Sequence, residues 1–342
     1  MKYLVTGSAG FIGYHLVKSL LNDDKNFVFA IDKKKLNLKH ENLKTITKNI
    51  NNIKKFPDVD IVFHLAAFNG TKYFYSKPLN VIDQNILSTL KLVQHYKNKR
   101  LIKFIIAGSS EAYAGAQIIK KNKGILHNEE EPIIFQDIKN PRWSYSTSKF
   151  MSEIITINSG MPYLILRYFN VYGPRQKDHF IPEFINRIKR GKYELYGFKN
   201  KRSFIYIDDA IKATIKASNI KKKNEIINIG SNIESKIIDV ARLIMKIFKI
   251  NPKKLKLFPA PKGSVLNRRP DINKLRMIVG KTNFLSLEEG IRLLLKKKIN
   301  MKIGIIGLGV LGKAYKKGFT TWGHKVTSYD IKGNYIFEKV LK

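Results

Sequence analysis

The chain has 342 residues, 44% of them hydrophobic, and its 64 basic against 26 acidic residues give a formal net charge of +38. Its length allows one large or two ordinary buried cores, and the absence of cysteine excludes disulfides and thiolate metal sites and favours a reducing, cytoplasmic location. We expect no nucleic-acid partner, because only 12 of the basic residues are arginine and the lysines are scattered instead of forming an arginine-rich aromatic face.

The first residues predict a βαβ unit. Residues 2–6 form a short apolar run, Phe11 to Leu21 an amphipathic stretch, and residues 27–31 a second apolar run that ends at Asp32. No apolar leader precedes the first strand and no apolar run of about 18 residues occurs, so we expect neither a secretion signal nor a membrane span.

A glycine-rich loop joins the first strand to the first helix. Gly7, Gly10 and Gly13 allow a tight turn that brings the helix N-terminus against a pyrophosphate. Asp32, at the end of the second strand, can bind ribose hydroxyls and repel a 2′-phosphate, which favours NAD over NADP. The lysines at 33–35 weaken that preference.

The alternation of strands and helices continues beyond this unit. A strand over 60–67, a helix over 79–97 and a strand over 103–107 predict an α/β protein with a Rossmann-type, doubly wound parallel sheet. After residue 175 the rhythm is less regular. We therefore expect a cofactor domain over 1–175 and a smaller, mainly substrate-binding α/β domain over 176–298.

A second Rossmann-like beginning lies at the other end of the chain. A strand over 302–306 precedes Gly307, Gly309 and Gly312, and a further strand over 325–329 ends at Asp330. Residues 301–342 supply one βαβ unit, too little for a closed sheet or a substrate site. We expect a truncated or read-through appendage, with Met301 as a former start, and no working cofactor site.

Tyr145 and Lys149 stand four residues apart, on one face if the segment is helical. A lysine charge near a phenol lowers the tyrosine pKa and lets it accept a proton from a hydroxyl. Tyrosine and lysine at this spacing also occur by chance in many helices, so the pair alone does not identify a site.

Further motifs follow in a fixed order: His64-Leu65-Ala66-Ala67, Asn85, 108–113 (GSSEAY), 166–175 (LRYFNVYGPR), 202–209 (RSFIYIDD) and 268–271 (RRPD). With the glycine loop, Asp32 and the Tyr145/Lys149 pair, this series resembles the extended short-chain dehydrogenase/reductase family of NAD-dependent nucleotide-sugar epimerases, dehydratases and decarboxylases. The resemblance covers residues 1–298. It implies NAD as cofactor, a nucleotide-sugar substrate and a homodimer formed through helices near 79–97 and 146–158.

The resemblance also implies roles for individual residues. The implied catalytic residues are Ser109, Glu111, Tyr145 and Lys149. The implied cofactor-binding residues are Gly7, Gly10, Phe11, Ile12, Gly13, Asp32, Asn49, Ile50, Leu65, Ala66, Ala67, Asn85, Tyr145, Lys149 and Phe169. The implied substrate-binding residues are Ser110, Asn170, Arg202, Arg268 and Arg269. Asn49 departs from the aspartate that is common at its position. His64 is expected to be structural, and we expect no metal site because no second ligand stands at a suitable spacing.

The family's shared first step is hydride transfer from the sugar C4 to NAD, which leaves a 4-keto sugar. Epimerases return the hydride to the other face, dehydratases eliminate water, and decarboxylases release carbon dioxide from a glucuronate. Ser110 followed by Glu111 is compatible with all three and argues only against the dehydratases with an Asp-Glu pair. Segments 69–75 and 140–145 resemble epimerase-like enzymes of bacterial surface polysaccharides.

We therefore favour a 4-epimerase that makes surface-polysaccharide precursors. A 4,6-dehydratase or a UDP-glucuronate decarboxylase is the alternative. A non-catalytic NAD-binding regulator is the alternative from another class, and it would lack the set Ser109, Tyr145 and Lys149, which is intact here. Residues 301–342 resemble the start of a UDP-glucose or GDP-mannose 6-dehydrogenase.

Overall fold

A computed structural model describes residues 1–116, 126–135, 138–260, 264–280, 283–295, 302–307, 309–321 and 325–329. The chain divides into a large unit, Met1–Ile291, and a small unit, Arg292–Lys342. The predicted division at residue 175 stays a prediction.

The strands of the large unit are β1 (Lys2–Thr6), β2 (Phe27–Asp32), β3 (Leu43–Thr47), β4 (Ile61–His64), β5 (Lys103–Ser109), β6 (Tyr163–Tyr168), β7 (Val171–Tyr172), β8 (Glu194–Tyr196), β9 (Lys201–Ser203), β10 (Ile205–Tyr206), β11 (Glu225–Ile229), β12 (Glu234–Lys236) and β13 (Lys256–Phe258). Its α-helices cover Phe11–Leu20, Thr71–Ser76, Pro78–Tyr96, Trp143–Ile157, Phe180–Lys189, Ile207–Ser218, Ile237–Ile247, Asn273–Val279 and Leu287–Leu295, the last of which extends into the small unit.

Seven strands form one parallel sheet in the order β3-β2-β1-β4-β5-β6-β11. The central strands are apolar on both faces because helices cover both sides, as in β4, where all four residues are buried. The strand order reverses between β1 and β4, and the carboxyl ends of these two strands form the crevice where such sheets bind ligands. The predicted Rossmann-type sheet is confirmed.

A buried apolar cluster and a pair of helices pack against the sheet. Leu4, Val62, Phe104 and Ile165 lie in one continuous buried cluster that spans four neighbouring strands. Helix Pro78–Tyr96 packs against helix Trp143–Ile157 on one face. Their contact carries buried serines and threonines as well as apolar groups, which allows close approach and places polar side chains beside the sheet.

Residues after β6 build a smaller set of paired strands: β7 with β10, β8 with β13 and β9 with β12. β11, which lies after residue 175, pairs with β6 in the main sheet. Residues from both predicted domains therefore form this sheet. None of the described helices is long and apolar enough to cross a membrane.

The small unit contains a parallel pair of strands, β14 (Lys302–Ile306) and β15 (Lys325–Tyr329), joined through helix Val310–Thr321. This is the βαβ unit that the second glycine motif predicts. Met301 and Asp330, which the sequence places at its two ends, lie outside the described residues.

Candidate active site

The glycine loop lies in tight contact with the end of β4. Gly7 has a left-handed φ of 69°, and a Cβ there would lie 2.7 Å from the Ala66 nitrogen. A Cβ on Gly13 would lie 2.1 Å from the Gly7 oxygen. Only glycine fits this turn, and helix Phe11–Leu20 begins directly after it. The predicted loop and the Leu65–Ala67 segment are therefore neighbours, and the backbone cradle suits a pyrophosphate.

Asp32 lies at the end of β2 beside the loop. Its carboxylate accepts hydrogen bonds from the backbone nitrogens of Ala9, at 3.0 Å, and Lys34, at 2.8 Å. These bonds fix the carboxylate at the position where it can meet ribose hydroxyls. Phe11 and Ile12 are the first residues of the helix that follows the loop.

Asn49 and Ile50 begin a single 3₁₀ turn after β3. The Asn49 side chain accepts from the backbone nitrogen of Asn51 at 3.1 Å and contacts Gln84 at 3.4 Å, while Ile50 is buried in the sheet core. The Asn49 oxygen is thus engaged in a local turn. Phe169, another predicted cofactor residue, is buried against the ring of Tyr113.

His64 joins three elements beneath the loop. Its ring nitrogens lie 2.8 Å from the Thr6 hydroxyl and 3.1 Å from the Thr89 hydroxyl. Burial, with a smaller effect of Lys149, lowers its pKa to about 3, so the imidazole is neutral. This agrees with a structural role. Among the described residues, no group of three His, Asp or Glu side chains could hold a metal ion.

Asn85 is 2% exposed and both ends of its amide are used. It accepts from the Phe68 nitrogen at 2.6 Å and donates to the Ser148 hydroxyl at 2.9 Å. Ser148 in turn donates to the Tyr145 carbonyl. Asn85 therefore shapes the predicted cofactor pocket by tying the segment after β4 to helix Trp143–Ile157.

Helix Trp143–Ile157 carries Tyr145 and Lys149, both less than a tenth exposed. Ser109, which ends β5, lies close enough to the Tyr145 phenol for its hydroxyl to lower the pKa of the phenol, and the Tyr145 ring stacks on Phe74 with the ring centroids 4.7 Å apart. The structure thus brings Ser109 next to Tyr145 and places Lys149 one turn further along the same helix.

Burial raises the pKa of Tyr145, and the charge of Glu111 adds to that effect. Burial lowers the pKa of Lys149 to about 8, although Glu153 opposes the decrease. The phenol is therefore protonated at rest, and a nearby positive charge is needed before it can accept a proton.

Glu111 is held by arginines. Arg268 donates to both of its carboxylate oxygens, at 2.8 and 3.0 Å, and Arg142 lies 3.5 Å from one of them. Burial alone would raise the pKa of Glu111, but Arg268 and Arg142 lower it to about 2. Ser110 lies 3.5 Å from Arg268. Glu111 is thus a permanent anion within a basic cluster.

Arg202 adds a third guanidinium. It donates to the carbonyls of Lys201, Val265 and Leu266 at 2.7 to 3.1 Å, and burial together with Arg268 lowers its pKa to about 9. Its charge acts on Glu111 as well. Three arginines around one carboxylate leave an excess of positive charge beside Tyr145, which suits an anionic substrate.

The other two predicted substrate residues are held by backbone carbonyls. Asn170 donates to the Ser203 carbonyl at 2.9 Å, and Arg269 donates to the Asn232 carbonyl at 2.8 Å. Asn170 thereby orients the strand that carries Arg202. Neither side chain is bonded to Glu111 in the structure, whereas Ser110, Arg202 and Arg268 gather around it.

Sequence reasoning missed two residues near Glu111. Arg142 follows Asn140-Pro141 directly before the Tyr145 helix, within the segment 140–145 that resembles epimerase-like enzymes. His179 has a left-handed φ of 80° before helix Phe180–Lys189. Desolvation lowers the pKa of His179, while the carboxylates of Asp178, Glu183 and Glu111 oppose that decrease. No sequence pattern marks such a backbone conformation.

Residues 3–230 match the NAD dependent epimerase/dehydratase family. The chain belongs to this family. It is 33% identical over 314 residues to the UDP-N-acetyl-alpha-D-glucosaminuronate decarboxylase of Bacillus cytotoxicus, an alignment that covers 84% of this chain and 95% of the relative. It is 29% identical over 319 residues to the UDP-glucuronate 4-epimerase of Thermodesulfobacterium geofontis, covering 85% and 94%.

Among solved structures, the chain is similar to the UDP-glucuronic acid 4-epimerase of Bacillus cereus in complex with UDP-glucuronic acid and NAD. The TM-score is 0.76 at 28% identity, with 86% of this chain and 98% of that chain covered. The protein is an NAD-dependent enzyme of nucleotide-sugar chemistry, as the motif series predicts. The glycine cradle and Asp32 fit that cofactor.

Proposed function

We propose that this enzyme oxidises C4 of a nucleotide-linked hexuronate and then decarboxylates the 4-keto sugar. The observation that carries the proposal is the cluster of Arg142, Arg202 and Arg268 around the ionised Glu111, next to the phenol of Tyr145. A nucleotide-linked uronate brings a diphosphate and a carboxylate, both of which guanidinium groups bind in bidentate fashion.

The first step uses the set around Tyr145. The hydroxyl of Ser109 would bond the sugar O4, and Tyr145 would accept the O4 proton as C4 is oxidised to a ketone. Lys149 lies one helical turn from Tyr145, so its ammonium can offset the cost of forming a phenolate in a buried site, and the charge of Arg268 acts on the phenol in the same direction. NAD supplies the hydride acceptor and a positive nicotinamide when bound.

The second step follows from the chemistry of the product. A 4-keto hexuronate is a β-keto acid, so its C5–carboxylate bond can break with the electron pair moving to the C4 oxygen. Tyr145, now protonated, and Ser109 can donate to that developing enolate. Carbon dioxide leaves, and C5 takes a proton from solvent to give a 4-keto pentose. Return of the hydride to C4, with the proton on Tyr145 going back to O4, would then restore the starting state of the site.

Glu111 is the reason to favour decarboxylation. Epimerisation needs only Ser109, Tyr145 and Lys149, whereas here a permanent carboxylate is held beside them by Arg268. A substrate carboxylate that enters must share the arginines with Glu111. Like charges at such close range raise the energy of the bound carboxylate more than that of the neutral product. The relative from Bacillus cytotoxicus, a decarboxylase of a nucleotide-linked uronate, supports this choice.

The second candidate is 4-epimerisation of the same substrate class. The likeness to the 4-epimerase of Bacillus cereus and the segment 69–75 favour it. In that case the arginines hold the carboxylate in the sugar plane and so protect it from loss.

We also propose a homodimer. Helices Pro78–Tyr96 and Trp143–Ile157 expose Leu79, Leu87 and Ile157, which are 78%, 45% and 39% accessible in the isolated chain. An apolar surface on two adjacent packed helices fits a twofold contact between copies.

The deciding experiment offers the purified protein UDP-glucuronate, UDP-N-acetylglucosaminuronate and UDP-glucose with NAD, and identifies products by mass spectrometry and NMR. We expect loss of carbon dioxide from a uronate and no reaction of UDP-glucose. Products of unchanged mass and inverted C4 would instead establish the epimerase.

Two variants separate the steps. Tyr145→Phe should retain NAD binding and abolish turnover, and substantial residual activity would contradict its role as proton acceptor. Glu111→Gln should reduce decarboxylation by at least about 100-fold if Glu111 takes part in it, while C4 oxidation, seen as NADH absorbance, persists. Unchanged turnover in Glu111→Gln would favour epimerisation.

A further inference from the structure

A buried ion pair lies one turn beyond Lys149 on the same helix. Glu153 is 1% and Arg167 3% exposed. Arg167 donates to both oxygens of Glu153, through Nε at 3.2 and 3.3 Å and through Nη2 at 2.8 Å. Burying two charges is costly unless every group is satisfied, so a pair of this kind needs a reason beyond stability.

The surroundings of the pair are built to accept it. A Cβ on Gly108 would lie 2.7 Å from a Glu153 oxygen, so β5 has a glycine where the carboxylate passes, directly before Ser109. The remaining nitrogen of Arg167 donates to the Tyr113 hydroxyl at 2.9 Å and to the Glu129 carbonyl at 3.2 Å. The pair therefore has a single fixed geometry.

That geometry places a carboxylate on the Lys149 side of the helix. Residues four apart in a helix lie on the same face, and the charge of Glu153 acts on Lys149. We propose that Glu153, clamped by Arg167, is a positioning residue that keeps Lys149 as an oriented ammonium in the cofactor pocket. The proposal rests on the role of Lys149 in the proposed function.

The other titratable groups that face Lys149 do not supply this charge. His64, on β4, is neutral, and its pKa of about 3 is itself lowered by burial and by Lys149. Tyr145, one turn earlier on the same helix, has a raised pKa and is uncharged at rest. Glu153 is thus the negative group that opposes the effect of burial on Lys149, whose pKa is about 8.

The test measures NAD affinity by calorimetry between pH 6 and 10, without any nucleotide sugar. Affinity of the unaltered protein should fall as pH rises through about 8, where Lys149 loses its proton. In Glu153→Gln the midpoint of that fall should move down by about one pH unit, since the nearby negative charge is gone. Failure of the decarboxylase proposal would leave this titration unaffected.

Two further variants guard against a merely structural effect. Glu153→Gln with Arg167→Met removes both charges, which avoids an unpaired buried arginine, and should show the same lowered midpoint. Glu225→Gln removes another buried carboxylate, paired with Lys222 and Lys274 at the far end of β11, and should keep the midpoint of the unaltered protein.

Several results would overturn the proposal. One is a midpoint of the NAD-affinity titration that is unchanged in both the single and the double Glu153 variant. Another is a shift that occurs in Glu153→Gln but not in the double variant, because the unpaired Arg167 would then be the cause of the shift. An equal shift in Glu225→Gln, or no fall in affinity of the unaltered protein up to pH 10, would also contradict it. If Glu153→Gln does not fold, the double variant decides.

Discussion

The chain contains two glycine loops that are locally alike and differ in their surroundings. In the first, a Cβ on Gly13 would lie 2.1 Å from the Gly7 oxygen, and in the second, a Cβ on Gly312 would lie 1.9 Å from the Gly307 oxygen. Both loops therefore make the same tight approach of helix to strand, and both glycines at the turn, Gly7 and Gly307, have positive φ.

The difference begins with the next strand. A Cβ on Gly7 would touch the backbone of Ala66 after β4, whereas one on Gly307 would meet no described atom within 4 Å. Residues Val310 and Leu311 at the start of the second helix are 89% and 72% exposed. A strand-turn-helix motif thus forms from local sequence, but a cofactor crevice also needs the neighbouring strand across which the sheet order reverses.

The largest expected effect comes from paired substitutions of the two tight glycines. Gly13→Ala should abolish measurable NAD binding and lower the free energy of unfolding by about 1–3 kcal/mol, because a methyl group cannot fit against the Gly7 carbonyl. Gly312→Ala introduces an equal local clash and should leave NAD affinity unchanged. Calorimetry with NAD and chemical unfolding measure both.

If Gly312→Ala weakened NAD binding, the second glycine loop would also belong to a cofactor site, and the difference between the two loops would be contradicted. A matched control is Gly309→Ala, because no described atom lies within 4 Å of the added methyl group. Gly309, like Gly13 and Gly312, has no left-handed φ, so this variant tests the added methyl group without a clash.

Local structure of this kind can be predicted from the sequence, whereas contacts between distant segments cannot. The periodicity and the glycines gave the βαβ units and the sheet, because those patterns reflect local structure and burial. The pairing of Tyr145 with Ser109 was accessible only through a resemblance, since β5 and the Tyr145 helix meet through the fold. Arg142 and His179 were missed because their proximity to Glu111 depends on loop paths and on a left-handed φ that sequence does not encode.

A smaller effect on stability is expected from His64, which links β4 to β1 beside the first glycine loop. Neutral His64 bridges Thr6 and Thr89, and its pKa is lowered from the usual 6.5 to about 3, chiefly by burial. The stability that His64 contributes is fully present above pH 6.5, where its imidazole is neutral in the unfolded chain as well as in the folded one. This stability is lost as the pH falls towards 3, because the imidazole binds a proton in the unfolded chain but not in the folded one.

His64→Gln should therefore lower the free energy of unfolding at pH 7.5 by about 1–3 kcal/mol and make stability less dependent on pH between 6.5 and 4. Urea unfolding at several pH values measures this. His40→Gln, at a half-buried turn, is the control and should retain the pH dependence of the unaltered protein. An identical slope in His64→Gln would show that another group causes the acid sensitivity.

The smallest expected effect comes from removing the second loop altogether. Residues Met1–Ile291 form one unit, which contains the seven-stranded sheet, the first glycine loop, Tyr145 and Glu111. A chain that ends at residue 298 should bind one NAD with unchanged affinity and form the same product as the full chain. Its free energy of unfolding should differ from that of the full chain by less than about 0.5 kcal/mol. Calorimetry of the full chain should likewise give one NAD. A stoichiometry of two in the full chain that falls to one on truncation would mean that a single βαβ unit can hold a dinucleotide, and the requirement for a neighbouring strand would then be wrong.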